Sequence, residues 1–187
     1  MLVSIIIALR LFVGEVAVVP SESMEPTIAR GSRIWIHKPA YGAQLPKRFA
    51  DIPLLNVFTW IPFLRECDTR NDWGYHRLPP RSLPCRGDII VFERSEHEEQ
   101  WLVKRVAAVS GDTLFLHKGR LYINGHEQAQ PCAPDTTLTF EPVYIPFRHN
   151  ETLYFVLGDN RAHSVDSRTW GVVSERDVIG KAIVLFQ

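Results

Sequence analysis

Short apolar runs that alternate or are rich in β-branched residues dominate the chain, and long helical periodicity is missing. Val16 to Val19 is such a run, closed by Pro20. Arg33 to Lys38 alternates, with Ile34 and Ile36 on one face. Asp88 to Glu93, carrying Ile89, Ile90, Val91 and Phe92, reads as a buried strand, and Trp101 to Val109 as another. Thr113 to His117 and Leu121 to Ile123 flank Lys118-Gly119-Arg120 and predict a hairpin, with a second turn at Asn124-Gly125. Thr152 to Leu157 and Lys181 to Phe186 complete the set. The pattern predicts a mostly β fold in which antiparallel sheets fold around one another.

Three regions depart from it. Tyr41 to Arg86 carries Pro46, Pro53, Pro62, Pro79, Pro80 and Pro84 together with Trp60 and Trp73. So many aromatics argue for an irregular insertion packed on a sheet, not a disordered linker. Gln128 to Thr139 is polar and contains proline, and reads as a long loop in a smaller β lobe. Leu2 to Leu9 is apolar, Arg10 interrupts it, and Leu11, Phe12 and Val13 continue. A membrane-crossing helix needs about 20 apolar residues. The segment therefore reads as an interfacial anchor, the exit end of a shortened span, or a buried first strand. No basic stretch precedes it, which argues against a signal peptide. The expected organisation is an apolar segment over 1–14 and one catalytic domain over 15–187. That domain carries an insertion at 41–86 and the second lobe at about 111–151.

Composition narrows the partners. The 187 residues are 45% hydrophobic and 11% aromatic, as in a globular protein. Lys plus Arg and Asp plus Glu balance at 21 each, and no basic run is present, so no nucleic acid is expected as a partner. Cys67, Cys85 and Cys132 are too few and too scattered for a disulfide scaffold, although one pair could bridge in an oxidising compartment. Cys67, His76 and Cys85 lack zinc-ligand spacing, so no metal is expected.

Candidate chemistry sits in four stretches. In Pro20-Ser21-Glu22-Ser23-Met24-Glu25-Pro26-Thr27 a strand ends and a short helical start is expected. A serine there commonly caps the helix. A serine projecting from a turn where backbone N–H groups converge is also well placed as a nucleophile. In Trp101 to Val109, Lys104 shares a face with Leu102, Val106 and Ala108, and Arg105 shares the other with Val103 and Ala107. One of these two basic residues must therefore point toward apolar company. Burial lowers a lysine pKa and lets the amine act as a base, whereas arginine stays protonated, so Lys104 is the candidate. Gly87-Asp88 opens the buried strand. Gly158-Asp159-Asn160-Arg161 begins a polar turn in which Asp166 and Arg168 are placed to pair and Ser164 to orient an amine.

In this order the stretches resemble the type I signal peptidases, the S26 serine–lysine proteases. The resemblance runs from about Arg10 to Gly42 and from Arg86 to Phe186. It implies a signal-peptidase-like β core, Ser23 as nucleophile and Lys104 as general base. It further implies an oxyanion hole from the Ser21 hydroxyl and the Ser23 N–H. Ser164 would hold the Lys104 amine, and Asp166 with Arg168 would brace the loop. Val19, Pro20, Met24, Leu102 and Val103 match positions lining small pockets that favour Ala-x-Ala sites. The implied substrates are signal peptides of exported preproteins, without a cofactor. The implied place is the membrane surface, with the catalytic domain on the outer side of a bacterial cytoplasmic membrane. Two features depart from the family pattern: Ala162 and His163 stand where Asp and Asn are common, and the apolar segment is short.

Three rival readings compete with this one, and a non-catalytic membrane-surface binding module on the same fold is opposed by the presence of both Ser23 and Lys104. A Ser23–His163–Asp166 triad leaves Lys104 and Ser164 without a role. A self-cleaving repressor needs an upstream DNA-binding domain, for which the 22 residues before Ser23 leave no room.

Overall fold

The computed structural model describes residues 2–48, 51–52, 60–61, 63, 66, 68, 73–94, 101–129 and 136–186. Within these, eleven strands form two antiparallel sheets. The larger has seven strands in the order β1-β2-β11-β3-β4-β9-β10. These are β1 Gly14–Val18, β2 Arg33–His37, β3 Ile89–Glu93, β4 Trp101–Val109, β9 Leu153–Leu157, β10 Val173–Ser174 and β11 Val178–Phe186. The smaller sheet runs β7-β6-β5-β8, from β5 Thr113–His117, β6 Arg120–Ile123, β7 His126–Glu127 and β8 Phe140–Tyr144.

Alternation decides which faces these strands bury. Ile34 and Ile36 of β2 are covered while their neighbours are partly open. In the central strand β3, Ile90, Val91 and Phe92 are all buried, and they divide between two clusters. One cluster joins Val19, Met24, Ile28, Ile34, Ile36 and Val91. The other joins Tyr41, Ile90, Phe92, Val106, Tyr154 and Val156. A third holds the small sheet: Leu114, Leu116, Leu121 and Ile123 pack on Phe155 and Leu157 of β9. The second lobe thus shares its core with the large sheet. Arg86 reinforces the joint by pairing with Asp112, whose carboxylate also accepts from Asn124 Nδ2 at 2.9 Å and from the Val109 N–H at 3.0 Å.

The amino-terminal segment is a helix, α1 (Leu2–Phe12), which corrects the alternative of a buried strand. Ile5, Ile6, Leu9 and Phe12 are exposed on it. No helix among the described residues is long and apolar enough to cross a membrane. Strands β8 and β10 escaped the sequence pattern. The first contains Pro142, and the second is two residues long.

Polar contacts tie the described parts of the 41–86 segment to the large sheet. Gln44 Nε2 donates to the carbonyls of Arg176 (2.8 Å) and Val178 (2.9 Å). Arg77 Nη1 reaches the Tyr41 carbonyl at 2.9 Å, and its Nη2 reaches those of Glu175 and Val178. Tyr41 Oη donates to Asp88 at 2.8 Å. Cys67 and Cys132 lie outside the described residues, as do Pro53, Pro62 and positions 130–135 of the expected loop. Cys85 is exposed and unbridged.

Candidate active site

Ser23 lies in a run of turns after β1, and no helix follows it. The expected helical start is therefore absent. The chain folds back through the Glu25 N–H to Glu22 O (3.1 Å) and the Ile28 N–H to Met24 O (2.8 Å). Burial of Met24 and Ile28 in the first cluster pins this loop to the sheet. Ser23 is only 5% exposed, while Pro20, Ser21 and Glu22 beside it are open. Ser21 Oγ lies 3.2 Å from Ser23 Oγ. Among the described residues the Ser23 N–H meets no hydrogen-bond acceptor.

Lys104 stands where β4 loses a neighbour. Strand β9 pairs with β4 from Arg105 to Val109 and then turns away at Gly158. On the other side Lys104 faces Ile90, which is buried. Lys104 is 4% exposed, and its Nζ donates to Ser23 Oγ at 2.6 Å. Strands β1 and β4 are four places apart in the sheet, so the sheet must curl strongly for this contact to form. Burial pushes the Lys104 pKa below the ordinary lysine value, because the charged amine loses water. Asp166 and Asp159 oppose the shift, and the Arg168 charge assists it. A register shift between Val106 and Ala108 breaks the simple alternation. Leu102 and Val106 go to the Phe92 cluster, whereas Ala107 and Ala108 both pack in the core of the second lobe. Ala108 therefore does not keep the company expected for it.

Two ion pairs frame the contact. Asp166 is fully buried and accepts from Arg168 Nε (2.8 Å) and Nη2 (3.0 Å), and from the Gly158 N–H (3.0 Å). Burial pushes its pKa up, but the Arg168 and Gly158 hydrogen bonds outweigh burial and hold the carboxyl below its usual range. Arg168 Nη2 also clasps the carbonyls of Arg161 (2.8 Å) and Ser164 (3.1 Å). The second pair escaped the sequence reading. Arg105 binds the fully buried Asp159 through two bonds of 2.8 and 2.7 Å, and reaches the Gly87 carbonyl (2.8 Å) and Thr27 Oγ1 (3.4 Å). One guanidinium thus joins β4, the turn before β3, the serine loop and the turn after β9. The signal available for it was its place beside Lys104 in an otherwise apolar strand. Asn160 completes the frame: its N–H donates to Ser23 O at 3.0 Å and its Nδ2 to Glu22 O at 3.3 Å.

The remaining candidates are dispersed. Ser164 Oγ is buried and does not bond the Lys104 amine; it faces the Asp166 carboxyl and helps hold that group below its usual range. It packs so tightly on Gly158 that a Cβ there would lie 2.2 Å from its oxygen. Val19 and Met24 are buried in one cluster, with Val103 against it, while Leu102 packs on another and Pro20 is exposed. His163 is 61% exposed on its side chain and lies 3.7 Å from Glu22. Asp166 spends its oxygens on Arg168 and Gly158, so His163 and Asp166 do not form the rival triad. No group of three or more metal-ligating side chains converges among the described residues.

A turn serine touching a buried amine in a curled β sheet is an arrangement suited to nucleophilic hydrolysis. Comparison with known proteins agrees on the class. Residues 1–187 match the family described as signal peptidase, peptidase S26, and the chain belongs to that family of serine hydrolases. Signal peptidase I of Leptolyngbya laminosa is 32% identical over 195 residues, covering 98% of this chain and 74% of that protein. Signal peptidase I of Pseudomonas aeruginosa is 28% identical over 222 residues, covering 97% and 68%. The crystal structure of a signal peptidase I from Enterococcus faecalis is 29% identical, covers 54% of this chain and 98% of its own, and gives a TM-score of 0.44.

Proposed function

We propose that the protein removes signal peptides from exported preproteins by acyl transfer, with Ser23 as nucleophile and Lys104 as general base. The observation that carries this reading is the 2.6 Å contact between Lys104 Nζ and Ser23 Oγ. The amine is buried, and among the described residues it has no carboxylate within ion-pair distance, so burial lowers its pKa and makes it easier to deprotonate.

Neutral Lys104 takes the Ser23 proton as Oγ attacks the scissile carbonyl. The resulting ammonium protonates the departing amine, and the amine then activates water to release the acyl group. The unengaged Ser23 N–H and the Ser21 hydroxyl are the donors for the oxyanion. Ser164, buried beside Gly158 and facing Asp166, would turn to the Lys104 amine once substrate excludes water. Asp166 with Arg168 holds that loop in place. By the family resemblance Val19, Pro20, Met24, Leu102 and Val103 would border the approach to Ser23. With Val19 and Met24 fully packed, little depth is left for a side chain, which favours alanine at the cleavage site.

Members of this family are membrane-associated. Here α1 exposes Ile5, Ile6, Leu9 and Phe12, and the sheet beside it exposes Val16 and Ile183, which flank Trp35 in register. This apolar surface fits a bilayer face, with the catalytic domain at 15–187 outside a bacterial cytoplasmic membrane.

The test is cleavage of a preprotein with an Ala-x-Ala site. Ser23→Ala and Lys104→Met should each lower the rate by at least about 10⁴-fold while circular dichroism stays that of the parent. Turnover near the parent rate in either variant would overturn the assignment.

A further inference from the structure

We propose that Glu15 is a positioning residue, the centre of an ionic bracket that sets the angle between α1 and the strand leading to Ser23. The proposal rests on the function given above. Helix α1 ends at Phe12 and β1 begins at Gly14, so Val13 alone links them. Gly14 is a forced pivot: its φ is +152°, and a Cβ there would lie 2.1 Å from the Ile36 carbonyl oxygen and 2.9 Å from the Trp35 ring. Such a joint would swing freely if nothing crossed it.

Three side chains cross it. Glu15 Oε2 accepts from Arg10 Nε of α1 at 2.7 Å, and Oε1 pairs with Lys38 Nζ at 2.8 Å. Lys38 Nζ also donates to the Arg10 carbonyl at 2.9 Å, and the Lys38 N–H reaches Val13 O at 3.4 Å. The Lys38 ammonium thus satisfies a helix-end carbonyl that would otherwise lack a partner. A simple helix cap would need only that last ammonium contact. The carboxylate does more, because each of its oxygens holds a cation from a different segment, one on α1 and one after β2. Glu15 and Lys38 are almost covered, at 9% and 13% exposure, whereas Arg10 is 56% exposed. Two cations and one anion leave a net positive charge at the end of an exposed apolar helix, where lipid headgroups would meet it. Strand β1 then runs directly to the Ser23 turn, so the bracket fixes the direction of the nucleophile relative to the helix and the bilayer.

A signal peptide held in lipid reaches Ser23 only if that height is right, whereas a soluble peptide diffuses to it. The full chain is reconstituted in phosphatidylglycerol-containing vesicles. It is assayed on a peptide whose apolar segment is embedded in the same vesicles, and on a soluble peptide with the same cleavage site. Glu15→Gln should lower the embedded-substrate rate at least about tenfold and leave the soluble rate within about twofold. An equal fall on both substrates, or none on the embedded one, overturns the proposal. If Glu15→Gln fails to fold, Arg10→Gln decides: a selective loss supports the bracket and an unchanged ratio overturns it. The soluble rate reads the dyad and the ratio reads the bracket, so the two readings fail separately.

Discussion

Two neighbours on β4 handle buried positive charge in opposite ways. Arg105 is met by the fully buried Asp159 through a two-bond fork, and its remaining donors reach a carbonyl and a hydroxyl. Lys104, one residue earlier, is more deeply covered and among the described residues meets only the Ser23 hydroxyl. Asp166, the other buried carboxylate nearby, is taken by Arg168. The frame therefore consumes the local negative charge in pairs and leaves the lysine without a counter-ion. A compensated charge braces loops, and an uncompensated amine is pushed toward neutrality, where it can accept a proton.

Substitution at the two positions should separate these roles. Arg105→Gln strips the guanidinium from a carboxylate that is fully buried, and should cost about 3–5 kcal/mol of stability, read as a lowered denaturant midpoint. Lys104→Met should leave that midpoint unchanged or raised, since it replaces a buried amine that has no counter-ion with an apolar side chain. A matching loss in both variants would mean that Lys104 is also a structural cation.

Arg168→Gln likewise strips the cation from a fully buried carboxylate, and beyond the loss of stability it should move the titration of Lys104. The Arg168 charge lowers the Lys104 pKa and also partly masks Asp166, which raises it. Both consequences of the change therefore move the Lys104 pKa upward. The acid limb of the pH–rate profile should shift to higher pH, with rate lost at neutrality and recovered in alkali. An unmoved limb would detach Arg168 from the base.

Asp166, Asp88 and Asp112 all hold pKa values below the ordinary aspartate value. Their stabilisation is present above the unfolded value and is lost as pH falls through the lower folded values. Acid unfolding should accordingly be confined to the region below about pH 4. The smallest effect is expected at Arg120–Glu127, where both side chains are about half exposed. Arg120→Ala should change stability by less than about 1 kcal/mol and leave cleavage unaltered.

Much of this contrast was legible in the residues. Short apolar runs bounded by turn signals, alternating in β2 and continuous in β3, placed β2, β3, β4, β5, β6 and β9 to within a residue or two, because strand side chains alternate between two faces. The same alternation required one of Lys104 and Arg105 to face inward. It could not reveal the Arg105–Asp159 fork, whose partners are 54 residues apart. Helix α1 was misread in one alternative because an apolar run of eight has no period that separates helix from strand. The helical start after Pro20 failed because burial of Met24 and Ile28 overrode local capping preference.

By itself the sequence determined most of the longer strands, the turn that carries Ser23, and a lysine in an apolar strand, since these depend on local period and turn chemistry. The tertiary structure alone decided that β1 and β4, four places apart, curl until Ser23 Oγ and Lys104 Nζ touch. It alone showed that Leu102 leaves the Val19 cluster and that Ser164 does not reach the Lys104 amine. It also closed the Arg10–Glu15–Lys38 bracket. Curl, register shift and charge pairing are collective outcomes of sheet twist and burial, and no single segment encodes them.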